Sequence, residues 1–255
     1  MNYNFSVRSC DLNKLNSMTK YPSIPTYHAL DNKGKLLDEV VSFNGEVILT
    51  EKIDGTNSRI IMLPDGNYIL GSREELLFAK GDLIGNPALG IVDALRSVAD
   101  QLPHSEHKII VAYLELYGGK VTAGSKQYTA KQSIAWRLFD VAVNSDITML
   151  FTKSVQQLAS WRDNGGQTFL DEDQLRKASI DFGFELTPRL ATVEALPVSI
   201  EETYEFLKAL LPKTLLALDE GAGGRGEGIV ARTFSRSMIA KIRFEDYERH
   251  TKHRQ

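Results

Sequence analysis

Short runs of strand-forming residues, interrupted by turn residues at fixed places, constrain most strongly what this chain can fold into. Residues 46–51 form one such run, and residues 57–63 form a second, mostly apolar one. A Pro-Asp-Gly turn at 64–66 separates the second run from residues 68–70. This order predicts a strand, a sharp turn, a strand, a hairpin and another strand.

Further strand-like runs, rich in β-branched and aromatic residues, occupy 108–116 and 133–143. Helical patterns fall irregularly between and after the strands, which predicts an α+β domain of antiparallel β-sheets flanked by helices. The predicted helices are at about Pro87–Gln101, at 151–164 with Thr152 as a candidate N-cap, at 171–182, and from Ser199 to just before Pro212.

Five clusters of chemically reactive residues accompany these elements. They are Glu51-Lys52-Ile53-Asp54-Gly55-Thr56-Asn57, Glu115-Leu116-Tyr117-Gly118, Phe139-Asp140-Val141, Glu227-Gly228-Ile229-Val230 and Lys241-Ile242-Arg243. Taken alone, Lys52 would be interpreted as a solvated surface lysine and Phe139 as a core residue. Together and in this order, the clusters resemble the covalent nucleotidyltransferases, which include ATP-dependent DNA ligases, RNA ligases and mRNA capping enzymes. The resemblance is closest to the RNA ligase 2-like family.

This resemblance covers about Tyr21 to Arg243. It implies a nucleotidyltransferase (ATP-grasp-like) fold in which the nucleotide cleft lies between two sheets. In the family, a lysine amine attacks the α-phosphate of ATP, expels pyrophosphate and leaves a lysyl-N-AMP intermediate, so the resemblance implies that Lys52 is the nucleophile. The amine must first lose its proton, and nearby cations disfavour its ammonium form. Lys241 and Arg243 are the candidates for that role.

Divalent cations are expected beside the phosphates, because phosphoryl-type transfer depends on positioning and electrostatics. Mg²⁺ or Mn²⁺ is predicted, with Glu227 as the protein carboxylate nearest to it. Such ions keep several waters and take only one or two carboxylates, so a dense ligand cluster is not expected. Many family members have a second lysine where this chain has Arg243, and arginine keeps the charge but not the compact ammonium shape.

The resemblance also implies roles in nucleotide and RNA binding. Phe139 would stack on adenine and Glu115 would bind a ribose hydroxyl. Arg73, in Gly71-Ser72-Arg73, would reach a phosphate, although a surface salt bridge is the competing interpretation. Asn57 would act in joining RNA ends or would be a turn residue. The predicted catalytic residues are Lys52, Glu227, Lys241 and Arg243, and the predicted nucleotide-binding residues are Glu51, Lys52, Asp54, Asn57, Arg73, Glu115, Phe139, Glu227, Lys241 and Arg243.

Overall charge limits the kind of nucleic-acid contact. The net charge is −3 and the isoelectric point is about 6.0, so any polynucleotide must be bound by a local basic patch. The single cysteine, Cys10, excludes an intramolecular disulfide and a cysteine-rich zinc site. The sequence has neither a secretory signal pattern nor an apolar run of about 18 residues, which predicts a cytoplasmic protein without membrane contact.

The domain prediction is a single adenylyltransferase domain over 1–255, with a lead-in at 1–20 and a short tail at 244–255. The ends of the sequence leave too few residues for an OB-fold or a helical C-terminal domain of the kinds that relatives carry. The tail is interpreted as a short helix with a basic end that is either solvated or in contact with a polynucleotide. Such a domain would be either a minimal ligase or a catalytic domain that needs a partner protein or a missing segment to engage RNA, and a nicked duplex or a partner protein would improve its joining of RNA ends.

The predicted function is therefore an ATP-dependent RNA ligase. Lys52 would be adenylylated, AMP would pass to an RNA 5′-phosphate, and an RNA 3′-hydroxyl would displace AMP to seal the strand. A DNA ligase would use the same site, and only the RNA 2′-hydroxyl beside the reacting end would discriminate the two. A capping-type guanylyltransferase would accept GTP. An inactive nucleotide-binding or RNA-binding module would keep the fold without needing Lys52, Glu227 and Lys241.

Overall fold

The computed structural model describes residues 6–80, 82–84, 90–103 and 107–252. The chain divides into two compact units. The first unit comprises Met1–Ser23, Thr56–Leu116 and Ile134–Leu186. The second unit comprises Ile24–Gly55, Tyr117–Ser133 and Thr187–Gln255.

The helices and strands of the described residues are numbered here in chain order. They are α1 (Leu12–Thr19), β1 (His28–Leu30), β2 (Leu36–Val40), β3 (Val47–Lys52), β4 (Thr56–Met62), β5 (Tyr68–Ser72), β6 (Leu76–Ala79), β7 (Asp82–Leu83), α2 (Ile91–Ala99), β8 (Ile109–Gly118), β9 (Ile134–Asn144), α3 (Ile147–Thr152), α4 (Val155–Asp163), β10 (Thr168–Phe169), α5 (Glu172–Phe182), β11 (Arg189–Val193), α6 (Ile200–Leu210), β12 (Gly228–Thr233), β13 (Ile239–Arg243) and α7 (Phe244–Lys252). A short 3-10 helix spans Ala123–Gln127.

The first unit is built on a seven-stranded sheet in the order β10-β9-β8-β4-β5-β6-β7. Strand β4 pairs antiparallel with β5 and with β8. The apolar face of the sheet carries residues such as Ile61 of β4 and Val111 of β8, which pack with Leu15 of α1 and Leu158 of α4. The core of this unit therefore lies between the sheet and those helices, as expected for a strand face that must be covered.

A fully buried arginine ties α1 to this sheet. Arg59 of β4 donates from Nη1 to the Asn16 carbonyl (3.2 Å) and to the Thr19 hydroxyl (3.0 Å). Burial lowers the pKa of Arg59 to about 10, because the guanidinium loses its hydration. The backbone and hydroxyl acceptors of α1 compensate part of that loss and fix the helix over β4.

The second unit is built on a four-stranded antiparallel sheet in the order β11-β3-β12-β13, together with the β1-β2 pair. Its core contains Leu49, Ile229 and Ile242 from the sheet, covered by residues of α6 and α7 such as Leu207 and Tyr247. The sheet side chains of this core come from one face of β3, β12 and β13. The opposite face carries Lys52, Lys241 and Arg243 together with residues such as Thr50 and Val230.

The predicted fold class is confirmed, since the chain has antiparallel sheets flanked by helices. The predicted hairpin is β4-β5, with Gly66 at a positive φ of 79°. The helix predicted from Pro87 is α2, beginning at Ile91, and Pro87 itself lies outside the described residues. No helix in the described part of the chain combines the length and the apolar character needed to cross a bilayer.

Two predictions need correction. The single helix predicted at 151–164 is two helices, α3 and α4, because Ser154 and Gln157 form a capping box that starts α4. Thr152 is not an N-cap, since its hydroxyl donates to the Met149 carbonyl within α3 (2.6 Å). The predicted tail helix is α7, which buries Phe244, Asp246, Tyr247 and His250 on one face and leaves Lys252 at its basic end exposed, so a polynucleotide contact there stays a prediction. Residues 253–255 of the predicted tail lie outside the described residues.

The buried imidazole of His28 predicts a stability that declines in mild acid. The Val198 carbonyl can only accept, so Nε2 of His28 carries the proton of that bond (2.9 Å) and Nδ1 accepts from the Tyr247 hydroxyl (2.7 Å). Burial lowers the pKa of His28, which is fully buried. The unfolded chain therefore binds the proton more readily, and the free energy of unfolding falls as the pH drops below the unfolded value of about 6.5.

We expect His28→Asn to flatten this decline when urea unfolding is measured between about pH 7 and pH 5. His107→Asn is the matched control, because His107 is exposed. The explanation is wrong if the free energy of unfolding falls as far between these pH values in the His28 variant as it does in the unmutated chain.

Candidate active site

Three strands of the second unit bring the predicted catalytic cations into register. Lys52 on β3 lies opposite Gly228 on β12, and Gly228 lies opposite Arg243 on β13. One row along the sheet, Val230 lies opposite Lys241. Since successive side chains alternate between the faces of a sheet, Lys52, Lys241 and Arg243 belong to one face. Lys52 and Lys241, which are 189 positions apart in sequence, thus share one face of a short sheet.

Glu227 lies between two of these cations. Its backbone N–H donates to the Lys52 carbonyl (3.0 Å), and its own carbonyl accepts from the Phe244 N–H (3.1 Å). Its side chain forms an ion pair with the Lys52 amine through Oε2, and Oε1 is 3.8 Å from Nη1 of Arg243. The backbone bonds on both sides fix this carboxylate beside the predicted nucleophile.

Gly228 is required for this arrangement by space. A Cβ atom added there would lie 2.1 Å from the Ile242 carbonyl oxygen and 2.8 Å from the Arg243 Cα. Both are backbone atoms, which cannot move aside without breaking the β12-β13 ladder. Glycine at this position therefore allows β13 to approach closely enough for Arg243 to face Glu227.

The two basic residues of β13 have different surroundings. Arg243 donates from Nε (2.9 Å) and Nη2 (2.8 Å) to the carboxylate of Asp246. Burial opposes the charged guanidinium, but the hydrogen bonds and charge of Asp246 outweigh it and raise the pKa of Arg243. Burial, followed by the charges of Arg243 and Lys52, lowers the pKa of Lys241. The surroundings therefore favour the charged form of Arg243 and disfavour the charged form of Lys241.

The turn that follows Lys52 is held by its backbone. The Asp54 N–H donates to the Tyr128 hydroxyl oxygen (2.7 Å), and the Thr122 hydroxyl donates to the Asp54 carbonyl (3.3 Å). The Asp54 carboxylate packs so closely on Gly124 that a Cβ there would meet Oδ2 at 2.0 Å. Tyr128 is fully buried. These contacts fix the turn that follows Lys52, and the nucleotide contact expected of Asp54 stays a prediction.

Glu51 faces the core side of β3 rather than the side of Lys52. Its carboxylate accepts from the Thr214 hydroxyl (2.5 Å) and from the Leu215 N–H (2.9 Å), and only 1% of it is exposed. Burial raises the pKa of Glu51, and the two hydrogen bonds act against that rise. The structure thus gives this side chain a role in holding residues 214–215, while its predicted contact with the nucleotide stays a prediction.

Four predicted residues belong to the first unit. Asn57 on β4 lies opposite Glu115 on β8, so these two side chains are cross-strand neighbours. The Oδ1 atom of Asn57 is buried and accepts no hydrogen bond from the described residues. The side chain of Arg73 is 56% exposed. Its Nη2 donates to the Ser23 hydroxyl (3.2 Å), and its Nε lies 3.6 Å from Oε1 of Glu74. The surface-pair interpretation of Arg73 therefore has a partner, and a phosphate contact stays a prediction.

Phe139 is the fourth. Its ring is partly buried and packs edge-on against Tyr21, with the ring centroids 5.0 Å apart at 88°. Tyr113 is a further neighbour, at 6.2 Å. The core interpretation of Phe139 thus accounts for part of its surroundings, and stacking on adenine stays a prediction.

The side chains near Lys52 suit a phosphate-bridged cation better than a metal held by protein alone. Among the residues that the structure describes, no group of three or more histidine, cysteine, aspartate or glutamate side chains could hold a metal ion. Glu227 is a single carboxylate among cations. Mg²⁺ and Mn²⁺ fit such a donor when water and phosphate oxygens complete the coordination.

Neither Tyr128, Thr122 nor Asp246 stands out in the sequence. Tyr128 and Thr122 contact Asp54 across more than 60 residues, and no motif marks them. Asp246 is three residues from Arg243, which is the spacing of a helical ion pair, so its contact could have been suspected.

Substitution of Gly228 tests whether the register depends on a missing side chain. We expect Gly228→Ala to lower the free energy of unfolding by about 1–3 kcal/mol, since the methyl group would press on the backbone of β13. Gly223→Ala is the matched control, because a Cβ at Gly223 would meet nothing within 4 Å. Denaturant unfolding of both variants gives the comparison, and equal stability of the two would show that the strands tolerate a side chain at 228.

Solved structures with a similar fold come from Naegleria gruberi RNA ligase. One is a point mutant with ATP and Mn, at 14% identity and a TM-score of 0.52, covering 92% of this chain and 63% of that one. Another is a mutant without ligand, at 12% identity and 0.52, covering 92% and 62%. A third is a mutant with AMP and Mn, at 14% identity and 0.51, covering 90% and 64%. The likeness is one of fold, and this chain spans less than two thirds of those ligases.

No curated protein matches this chain. The sequence profile of the RNA ligase family matches residues 45–244, which include Lys52 and all four of the other clusters. The match extends over most of the 255 residues. This chain therefore belongs to the RNA ligase family.

Proposed function

We propose that this chain is an ATP-dependent RNA ligase that works through a covalent lysyl-AMP intermediate on Lys52. The observation that carries the proposal is the row Lys52–Gly228–Arg243, with Lys241 on the same face and Glu227 between the cations. Membership of the RNA ligase family supports the same assignment. The ATP, AMP and Mn in the Naegleria ligase structures support the choice of nucleotide and cation class.

The first step is attack by the deprotonated Lys52 amine on the α-phosphate of ATP. A nitrogen–phosphorus bond forms, the bond to the bridging oxygen breaks, and pyrophosphate leaves with the electron pair. Lys241 and Arg243 neutralise charge on the triphosphate, and the Nη1 side of Arg243, which Asp246 does not hold, can donate to a phosphate oxygen. A divalent cation, when bound, supplies further charge neutralisation on the phosphates, and Glu227 is the residue proposed to hold it.

The next two steps move AMP onto RNA and then release it. An RNA 5′-phosphate oxygen attacks the lysyl-AMP phosphorus and frees the lysine, which leaves an adenylylated RNA end. The RNA 3′-hydroxyl then attacks the 5′-phosphate, and AMP departs as the phosphodiester forms. Among the described residues nothing donates a hydrogen bond to the buried Oδ1 of Asn57, which supports a role in these steps, because a hydroxyl group of the RNA end would satisfy it.

Substrate engagement beyond the reacting ends is proposed on the basis of charge. The chain carries a net charge of −3, so few phosphate contacts are available from its overall surface. We propose that residues 1–255 act as one catalytic domain whose sealing activity is helped by a nicked duplex or a partner protein.

The test of the nucleophile is covalent labelling. With labelled ATP and Mg²⁺ or Mn²⁺, we expect an acid-labile protein–AMP adduct on Lys52, seen after denaturing electrophoresis and mapped by peptide mass. Lys52→Ala should abolish the adduct, and chelation by EDTA should prevent it. Lys177→Ala is the control, since Lys177 is 75% exposed and pairs with Asp181. An adduct of normal yield in Lys52→Ala would show that another residue is the nucleophile.

The steps should separate by residue. Glu227→Ala and Lys241→Ala are expected to impair adduct formation, since Glu227 is proposed to hold the divalent cation and Lys241 to neutralise the triphosphate. Asn57→Ala should form much of the adduct yet fail to seal pre-adenylylated RNA, because its amide is proposed to act on the RNA end. Sealed product and adduct yield are measured on the same preparations, with RNA and DNA ends compared. Equal loss in both assays would make Asn57 a structural residue of β4.

A further inference from the structure

A buried carboxylate outside the five clusters holds the guanidinium of Arg243. Asp246, in the first turn of α7, is 1% exposed. It accepts from Nε and Nη2 of Arg243 at 2.9 and 2.8 Å, and Nη2 of Arg249 donates to it at 2.7 Å. One carboxylate thus serves two arginines, and both of its oxygens are used.

The two bonds to Asp246 fix the plane of the Arg243 guanidinium. A planar guanidinium held through two of its nitrogens cannot rotate about its last bonds without losing both contacts. The third nitrogen, Nη1, is left 3.8 Å from Oε1 of Glu227. Asp246 therefore directs Nε and Nη2 of Arg243 away from Glu227 and leaves only Nη1 on the side of Glu227.

The position of Asp246 is itself rigid. Arg243 ends β13, and α7 begins at the next residue, Phe244. Phe244 and Tyr247 are buried in the core of the second unit, and the Phe244 N–H donates to the Glu227 carbonyl. A carboxylate in the first turn of a helix is also stabilised by the helix dipole. The strand, the helix and the segment before β12 thus hold the first turn of α7, and Asp246 with it, in place.

We propose that Asp246 is a positioning residue for adenylylation, acting through Arg243. It keeps the guanidinium from closing a two-bond pair with Glu227, so that the Glu227 carboxylate remains with Lys52 and one edge of Arg243 remains for the triphosphate. This inference rests on the proposed function. Without Asp246, the strongest acceptor left within reach of Arg243 is Glu227 itself, and a fork–carboxylate pair between them would withdraw both groups from the reaction.

A purely structural role is the competing explanation. Asp246 could serve only to stabilise α7 by neutralising Arg249, whose Nε is buried without a hydrogen-bond partner among the described residues. In that case its removal would weaken the fold and slow the reaction independently of Arg243. The two roles differ in their coupling to residue 243, which a double-mutant cycle measures.

The experiment compares rates of lysyl-AMP formation at saturating and limiting ATP in Asp246→Asn, Arg243→Lys, the double variant and the unmutated chain. Asparagine preserves shape but loses the charge and one acceptor, and lysine preserves charge but cannot form the fork. We expect each single variant to lose about a hundredfold in rate, as a misplaced catalytic contact does. The double variant should be no slower than Arg243→Lys. Glu245→Gln is the matched control, since Glu245 is exposed, neighbours Asp246 on α7 and pairs only distantly with Arg249 (3.8 Å).

Rate losses that multiply in the double variant, or a rate loss in Glu245→Gln as large as in Asp246→Asn, would overturn the inference. Circular dichroism melting monitors folding throughout. If Asp246→Asn does not fold, Arg243→Lys still decides, because full activity in that variant would show that the fork held by Asp246 is not needed. Absence of any adduct in the unmutated chain contradicts the proposed function. An adduct of equal rate in the unmutated chain and in folded Asp246→Asn contradicts only the role of Asp246.

Discussion

Strand β12 pairs with β3 along one edge and with β13 along the other, and this double pairing decides where Lys52, Lys241 and Arg243 lie relative to one another. A slip of one residue in either ladder would move every side chain of that strand to the opposite face. The core excludes such a slip, because Leu49, Ile229 and Ile242 must stay on the buried face together. The row Lys52–Gly228–Arg243 is consequently specified by apolar residues on the opposite face of the sheet.

The same parity separates two neighbouring acidic and basic residues. Glu51 shares the face of Leu49 and is buried against Thr214 and Leu215, whereas Lys52 points to the opposite face and meets Glu227. A cluster that is continuous in sequence therefore serves two purposes, one within the fold and one at the candidate site. Sequence proximity to a nucleophile is a weak guide to contact with its substrate, since a strand alternates its faces at every residue.

Much of the secondary structure could be predicted from the sequence, because it depends on residues that are close together in the chain. The Pro-Asp-Gly turn and its flanking apolar runs specified β4 and β5, and a period of two placed Lys241 and Arg243 on one face. The break between α3 and α4 does not follow from Thr152, because Ser154 and Gln157 form the capping box that starts α4. The difference concerns which of two nearby polar residues reaches the backbone, and spacing alone does not settle it.

The long-range part of the site could not be predicted in the same way. That Lys52 lies in the row of Gly228 and Arg243 depends on register between distant strands, and the clamp of Tyr128 on Asp54 spans 74 residues. The burial of one face of α7 has a clearer signal in the sequence. Phe244 and Tyr247 are three residues apart, which gives an apolar stripe on a helix, but the charged residues between them favoured a solvated interpretation.

The electrostatics of the row explain why such an arrangement suits an anionic substrate. Lys52, Lys241 and Arg243 share one face of a short sheet, and burial together with the charges of Arg243 and Lys52 lowers the pKa of Lys241. Gathering like charges costs folding free energy, and Glu227 and Asp246 relieve only part of it. A polyanion entering beside Lys52 would relieve the remainder. The charge pattern supports the phosphate-bearing ligand of the proposed function by a route that is independent of sequence motifs, because it depends only on which side chains the strand register places together.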